Sequence, residues 1–91
     1  MKTHKDLNVW QESITLVTLI YEKTKSFPKD ELFGLTSQIR RSSISELDTQ
    51  LLIANNLNFL NKEDYVQISE KLVAIRKMLA GLIKFRKVKS F

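Results

Sequence analysis

Cysteine is absent from this sequence, which excludes a disulfide framework and any thiolate-ligated metal centre, and which fits a reducing compartment. Only two glycines and one proline occur, too few punctuators for the many tight turns of an all-β fold. The expectation is therefore an all-α fold. A single histidine, His4, rules out a histidine-based metal or catalytic cluster within one chain. Gly34 and Gly81 are 47 residues apart, so no glycine-rich phosphate loop exists. Neighbouring carboxylates occur only as Asp30/Glu31, Glu63/Asp64 and Glu46/Asp48, spacings that point helix side chains to different faces. Ser42 and Ser43 have no base within reach in sequence. These absences argue against an enzyme, and with it against a cofactor, a bound metal or a small-molecule substrate.

Long apolar runs are also missing. The longest aliphatic stretches, such as Leu51–Ala54, are too short to span a bilayer, and MKTHKDLNVW lacks the apolar core of a signal peptide. No membrane association is expected, and a cytoplasmic location is the default. A hydrophobic share of 43% with 27% charged residues over 91 positions suits one folded domain, residues 1–91, and argues against disorder.

Acidic residues stop at Glu70. Beyond it Lys71, Arg76, Lys77, Lys84, Arg86, Lys87 and Lys89 contribute +7, whereas residues 1–70 carry −2, from 8 basic against 10 acidic side chains. Such asymmetry points to an anionic partner.

Periodicity predicts three principal helices, at about 6–25, 35–56 and 62–87. The first has Asp6 as its N-cap and ends before Pro28, because the residue preceding a proline is pushed out of helical geometry. Leu7, Trp10, Ile14, Val17, Tyr21 and Thr24 form one stripe, and Val9, Leu16 and Ile20 a second, so this helix should pack against two neighbours. Trp10 reads as a core anchor. Phe27, Leu32 and Phe33 are expected to close the end of the core, with Gly34 supplying a backbone shape other residues avoid.

The middle segment contains a contradiction. Leu35 and Ile39 define one face, while Ile44, Leu47, Leu51 and Ala54 centre on a direction roughly 140° away at about 100° per residue. Ser42, Ser43 and Ser45 mark the change of phase. Ser43 with Glu46, and Ser45 with Asp48, both have capping-box spacing, yet no glycine or proline is present to turn the chain. The segment is either continuous or broken near Ser43.

After a turn over 56–61, Asn61 is a credible N-cap with Asp64 three residues on. Tyr65, Ile68, Leu72, Ile75, Leu79 and Leu82 then keep a strict three–four alternation, the pattern of a helix on a bundle seam. Gly81 interrupts it, which suggests close helix approach.

HKDLNVWQ (His4–Gln11), FPKDELFGLTSQIRRSS (Phe27–Ser43), SELDTQLLIANNLNFL (Ser45–Leu60) and EKLVAIRKMLAGLIK (Glu70–Lys84) occur in the order of a known family. In these blocks the chain resembles the bacterial four-helix-bundle proteins, also called 23S ribosomal-RNA intervening-sequence proteins. The resemblance implies an up-and-down helical bundle, often assembled into a ring-like homo-oligomer, and related accessory proteins of diversity-generating retroelements bind nucleic acid. The family pattern continues after an RRSS-like block with a stretch similar to SIPSNIAEG and a hairpin. This sequence passes from Ser43 through Ile44 directly to Ser45, so the hairpin joining the family's second and third helices is missing.

Two basic features are candidates for nucleic-acid contact. Arg40 and Arg41 could meet phosphate, or alternatively pair with Glu46 or Asp48. Lys84, Arg86, Lys87 and Lys89 interleave with Phe85, Val88 and Phe91, which suits phosphate neutralisation plus base stacking; a solvated helix end near the C-terminal dipole is the alternative. Three helices that bury Leu7, Trp10, Ile14, Leu72, Ile75 and Leu79 would leave Leu16, Ile20, Ile39, Leu52, Ile53 and Ile83 outside, so a homo-oligomer is expected. The functional expectation is a non-enzymatic interaction module that binds RNA or another nucleic acid. A structural homo-oligomer, or an adaptor binding another protein, is the alternative.

Overall fold

The structure, a computed structural model, describes the backbone of residues 4–89 and the side chains of residues 7–84. Among the described residues there are four α-helices and no strand: α1 (His4–Thr24), α2 (Leu35–Arg41), α3 (Leu47–Asn56) and α4 (Lys62–Lys89). A single 3₁₀ turn, Lys29–Glu31, lies between α1 and α2.

The long helices α1 and α4 run antiparallel, pinned by Lys23–Asp64 at 3.1 Å and Glu12–Lys71 at 2.8 Å. Between them α2 returns along α1 and α3 runs back beside α4, bringing Phe59 to Phe27 with ring centroids 5.8 Å apart. The result is an up-and-down bundle whose two middle helices are short. At 1.5 Å per residue, the 28 residues of α4 span about 42 Å and the 7 of α2 about 10 Å. Both long helices therefore continue past the α2–α3 hairpin, and the molecule measures 51 × 20 × 19 Å.

The middle segment is thus two helices, not the single 35–56 helix of a three-helix reading, and a compact hairpin does form. Serine chemistry makes the break. Ser42 is extended, at φ −68° and ψ 144°, and its hydroxyl donates to the Gln38 carbonyl at 2.6 Å. Glu46 Oε1 accepts from the Ser43 N–H at 3.2 Å and from the Ser43 hydroxyl at 3.0 Å. The Leu47 N–H donates to the Ser43 carbonyl at 3.2 Å, an α-type bond that makes residues 44–46 the entry turn of α3. The Ser43–Glu46 pair thus ties the turn ahead of α3, with no side-chain cap bond to the helix itself. Ser45 only meets the Ser43 hydroxyl, at 3.0 Å, and Asp48 pairs instead with Arg76. Folding back at this point turns both apolar faces to the same core: Leu35, Ile39, Leu47, Leu51 and Ala54 are all buried.

The other turns are equally local. Asn58 takes φ 63° where glycine is usual, and Phe59 N–H to Ala54 O at 3.0 Å with Asn58 N–H to Asn55 O at 3.1 Å completes a Schellman motif. Asn61 Oδ1 then accepts from the Asp64 N–H at 2.8 Å and caps α4. Gly34 keeps a negative φ of −103°. A Cβ there would sit 2.8 Å from Glu31 Oε1, which accepts from the Leu35 N–H at 3.2 Å at the start of α2. Room for that carboxylate, not backbone freedom, is what glycine supplies. Gly81 has nothing within 4 Å of its would-be Cβ, so it marks no close approach of helices.

The α4 stripe packs as the periodicity implies, with Ile68, Leu72, Ile75 and Leu82 buried and Tyr65 and Leu79 half-buried. On α1 the two stripes exchange roles. Leu16 and Ile20 enter the core with Ile39, so these three do not line an outer interface. Leu7, Ile14, Val17 and Tyr21 are exposed, and Trp10, at 52% exposure, is no core anchor. The short α2, which stops at Arg41, leaves Leu7, Trp10 and Ile14 uncovered, while Val17 and Tyr21 stay exposed although Arg40 of α2 lies over Tyr21. Phe27 does close the core, whereas Leu32 and Phe33 face solvent. Among the described residues, no helix is long and apolar enough to cross a membrane.

Candidate nucleic-acid interface

The cations of α4 divide by partner. Lys71 is held by Glu12, and Arg76 by Asp48 and by the Ile44 carbonyl at 2.6 Å, so both are structural ties between helices. Lys77 and Lys84 are exposed and, seven residues apart, lie on one side of the helix. The side chains of Arg86, Lys87 and Lys89 lie outside the described residues, although the α4 backbone continues through Lys89.

The paired arginines also separate. Arg40 Nε donates to Thr24 Oγ1 at 3.0 Å, and its guanidinium stacks over Tyr21 at 4.5 Å from the ring centroid. Thr24 Oγ1 in turn donates to the Ile20 carbonyl at 2.8 Å, so Arg40 is a half-buried clasp between α1 and α2. Arg41, the last residue of α2, is exposed, and neither arginine pairs with Glu46 or Asp48 among the described residues.

Arg41 opens on a groove of about 550 Å³ between α2 and α3, shared with Phe33, Gln38, Ser42, Glu46 and Gln50. Three features of this groove bear on ligand chemistry. Phe33 is 93% exposed at its edge, a flat apolar face with no packing role. Gln50 Oε1 is buried and has no hydrogen-bonding partner among the described residues. Glu46 is held ionised, because the Ser43 backbone N–H, and then the Ser43 hydroxyl, keep its carboxyl below its ordinary range. Sequence reasoning missed Phe33, Gln38 and Gln50 as site residues, since no spacing rule joins them until the hairpin is known. Arg41 was the one signal available. Among the described residues, no group of three or more His, Cys, Asp or Glu side chains could hold a metal ion.

The segment that builds α1, α2 and the clasp between them, residues 5–45, matches the family model of the 23S rRNA-intervening sequence protein. The 23S rRNA-intervening sequence match ends inside the turn between α2 and α3. It includes Arg40 and Arg41 but neither α3 nor α4. No curated protein matches the chain.

Proposed function

We propose that this protein is a non-enzymatic helical module that binds RNA through the cationic end of α4, with Arg41 as a second point of contact. The observation that carries the reading is the charge of one continuous helix. Beyond Glu70, α4 bears no acid as far as its end at Lys89, and the two cations neutralised by other helices, Lys71 and Arg76, both come before Lys77. Lys77 and Lys84 remain exposed on the part that continues past the hairpin. A cationic rod of this kind meets phosphates without reading sequence. Replacing Lys84, Arg86, Lys87 and Lys89 together by glutamine tests it. RNA binding should weaken across all sequences and its salt dependence should flatten, and binding as tight as the parent's at low salt would remove α4 as the site.

A second reading rests on a separate observation. Leu7, Trp10, Ile14, Val17 and Tyr21 form an exposed apolar stripe along α1, with Leu52, Ile53 and Ile83 exposed elsewhere. Contiguous apolar surface on a small protein favours association. A homo-oligomer covers this stripe, or an adaptor uses it to hold another protein; the oligomer is compatible with RNA binding, since the two surfaces differ.

A further inference from the structure

In the groove between α2 and α3 an aromatic face, a cation, a carboxylate and an amide oxygen without a donor converge. Phe33, almost wholly exposed, offers a stacking platform that contributes nothing to the core. Gln50 lines the groove, and its Oε1 is closed to solvent and without a donor, a costly arrangement that a turn of the side chain toward a donor in the groove would relieve. Glu46, on the same groove, spends one carboxylate oxygen on Ser43 and remains an acceptor. Arg41 stands beside them and is exposed.

We propose that this groove takes one unstacked, amino-bearing base of single-stranded RNA. This rests on the RNA-binding reading above and assigns it a site of base selection. Phe33 stacks on the base, Glu46 accepts from its exocyclic amine together with Gln50 Oε1 once that side chain turns into the groove, and Arg41 meets the adjoining phosphate. Stacking on an aromatic side chain with edge hydrogen bonds is how unpaired bases are recognised. The volume of about 550 Å³ accommodates a nucleotide. Acceptors at the groove select the base class. Adenine and cytosine bring an amine with two hydrogens, whereas uracil brings a single N–H between two carbonyl oxygens that face the acceptors unfavourably. A cationic peptide is less suited, because Arg41 would repel it.

Fluorescence anisotropy of the full chain with labelled ten-nucleotide oligo(A), oligo(C) and oligo(U) RNA decides the matter. The parent should bind oligo(A) and oligo(C) more tightly than oligo(U). Phe33→Ala should weaken oligo(A) binding by about tenfold or more while leaving the salt slope unchanged. Gln50→Leu should erase the preference over oligo(U), and Arg41→Gln should weaken all three and reduce the slope by about 0.7. Phe33 is exposed, so circular dichroism of its variant should match the parent. If the parent binds but Phe33→Ala and Gln50→Leu bind all three RNAs as the parent does, the groove is not the site and RNA binding stands without it. If the parent binds none of them at low salt, the RNA reading itself falls and takes the groove with it.

Discussion

The Arg76 guanidinium donates to the Ile44 carbonyl at 2.6 Å and pairs through its other nitrogen with Asp48. One side chain of α4 thereby holds both the hairpin turn and the first turn of α3. Arg76→Ala removes a charged donor from a half-buried carbonyl and should cost about 1.5–3 kcal/mol, read as a shift in the urea midpoint. Arg76→Lys should recover only part of this, lacking the forked geometry. An unchanged midpoint would mean that apolar packing alone seats the hairpin.

Acid should loosen the same turn. The Ser43 backbone N–H and hydroxyl lower the Glu46 pKa from its ordinary 4.5, so the ionised form is favoured in the folded chain. A lowered folded-state pKa gives stability that is present above 4.5 and lost as pH falls through the lower, folded value. Glu46→Gln should therefore shrink the fall in melting temperature between neutral and strongly acidic pH. A variant that loses as much as the parent on acidification would assign the acid sensitivity to another carboxylate.

The two glycines should respond to alanine with opposite signs. Gly81→Ala adds a methyl where nothing lies within 4 Å, in the interior of α4, and should stabilise by about 1 kcal/mol. Gly34→Ala displaces the Glu31 carboxylate from the start of α2 and should destabilise by about 1 kcal/mol. Denaturant midpoints measure both, and matching signs would contradict the role given to Glu31.

Much of this fold is legible in the sequence, and the misses have physical causes. Pro28 and the Asn61–Asp64 pair mark real helix boundaries because their effects are local, and the α4 stripe is buried because a single periodicity admits one face. On α1 two stripes compete. The choice between them depends on where α4 and α2 pack on α1, which the α1 sequence does not encode, and so Trp10 and Leu16 exchange the places expected of them. The break at 42–46 shows as a phase error, but its outcome as a hairpin depends on Ser43 and Glu46 doing what glycine or proline usually does. Arg40 reads as a phosphate ligand, or as a partner of Glu46 or Asp48, until Thr24 and Tyr21, both on another helix, come within reach of it.

Assembly can be separated from folding by charge. Ile14→Lys lies on the exposed α1 stripe, and Leu52→Lys and Ile53→Lys on the exposed side of α3. Each should shift sedimentation at micromolar concentration toward a 10.6 kDa species while leaving helicity intact. A parent that already sediments at that mass would end the oligomer reading.

The salt dependence of RNA binding by the unmodified full chain bears most directly on the proposed function. Anisotropy of a labelled single-stranded RNA, followed from low to physiological salt, should show affinity falling linearly on a log–log plot, with a slope of about −0.7 for each phosphate neutralised. Absence of binding at low salt, or an affinity that salt does not change, would contradict RNA recognition by the cationic α4.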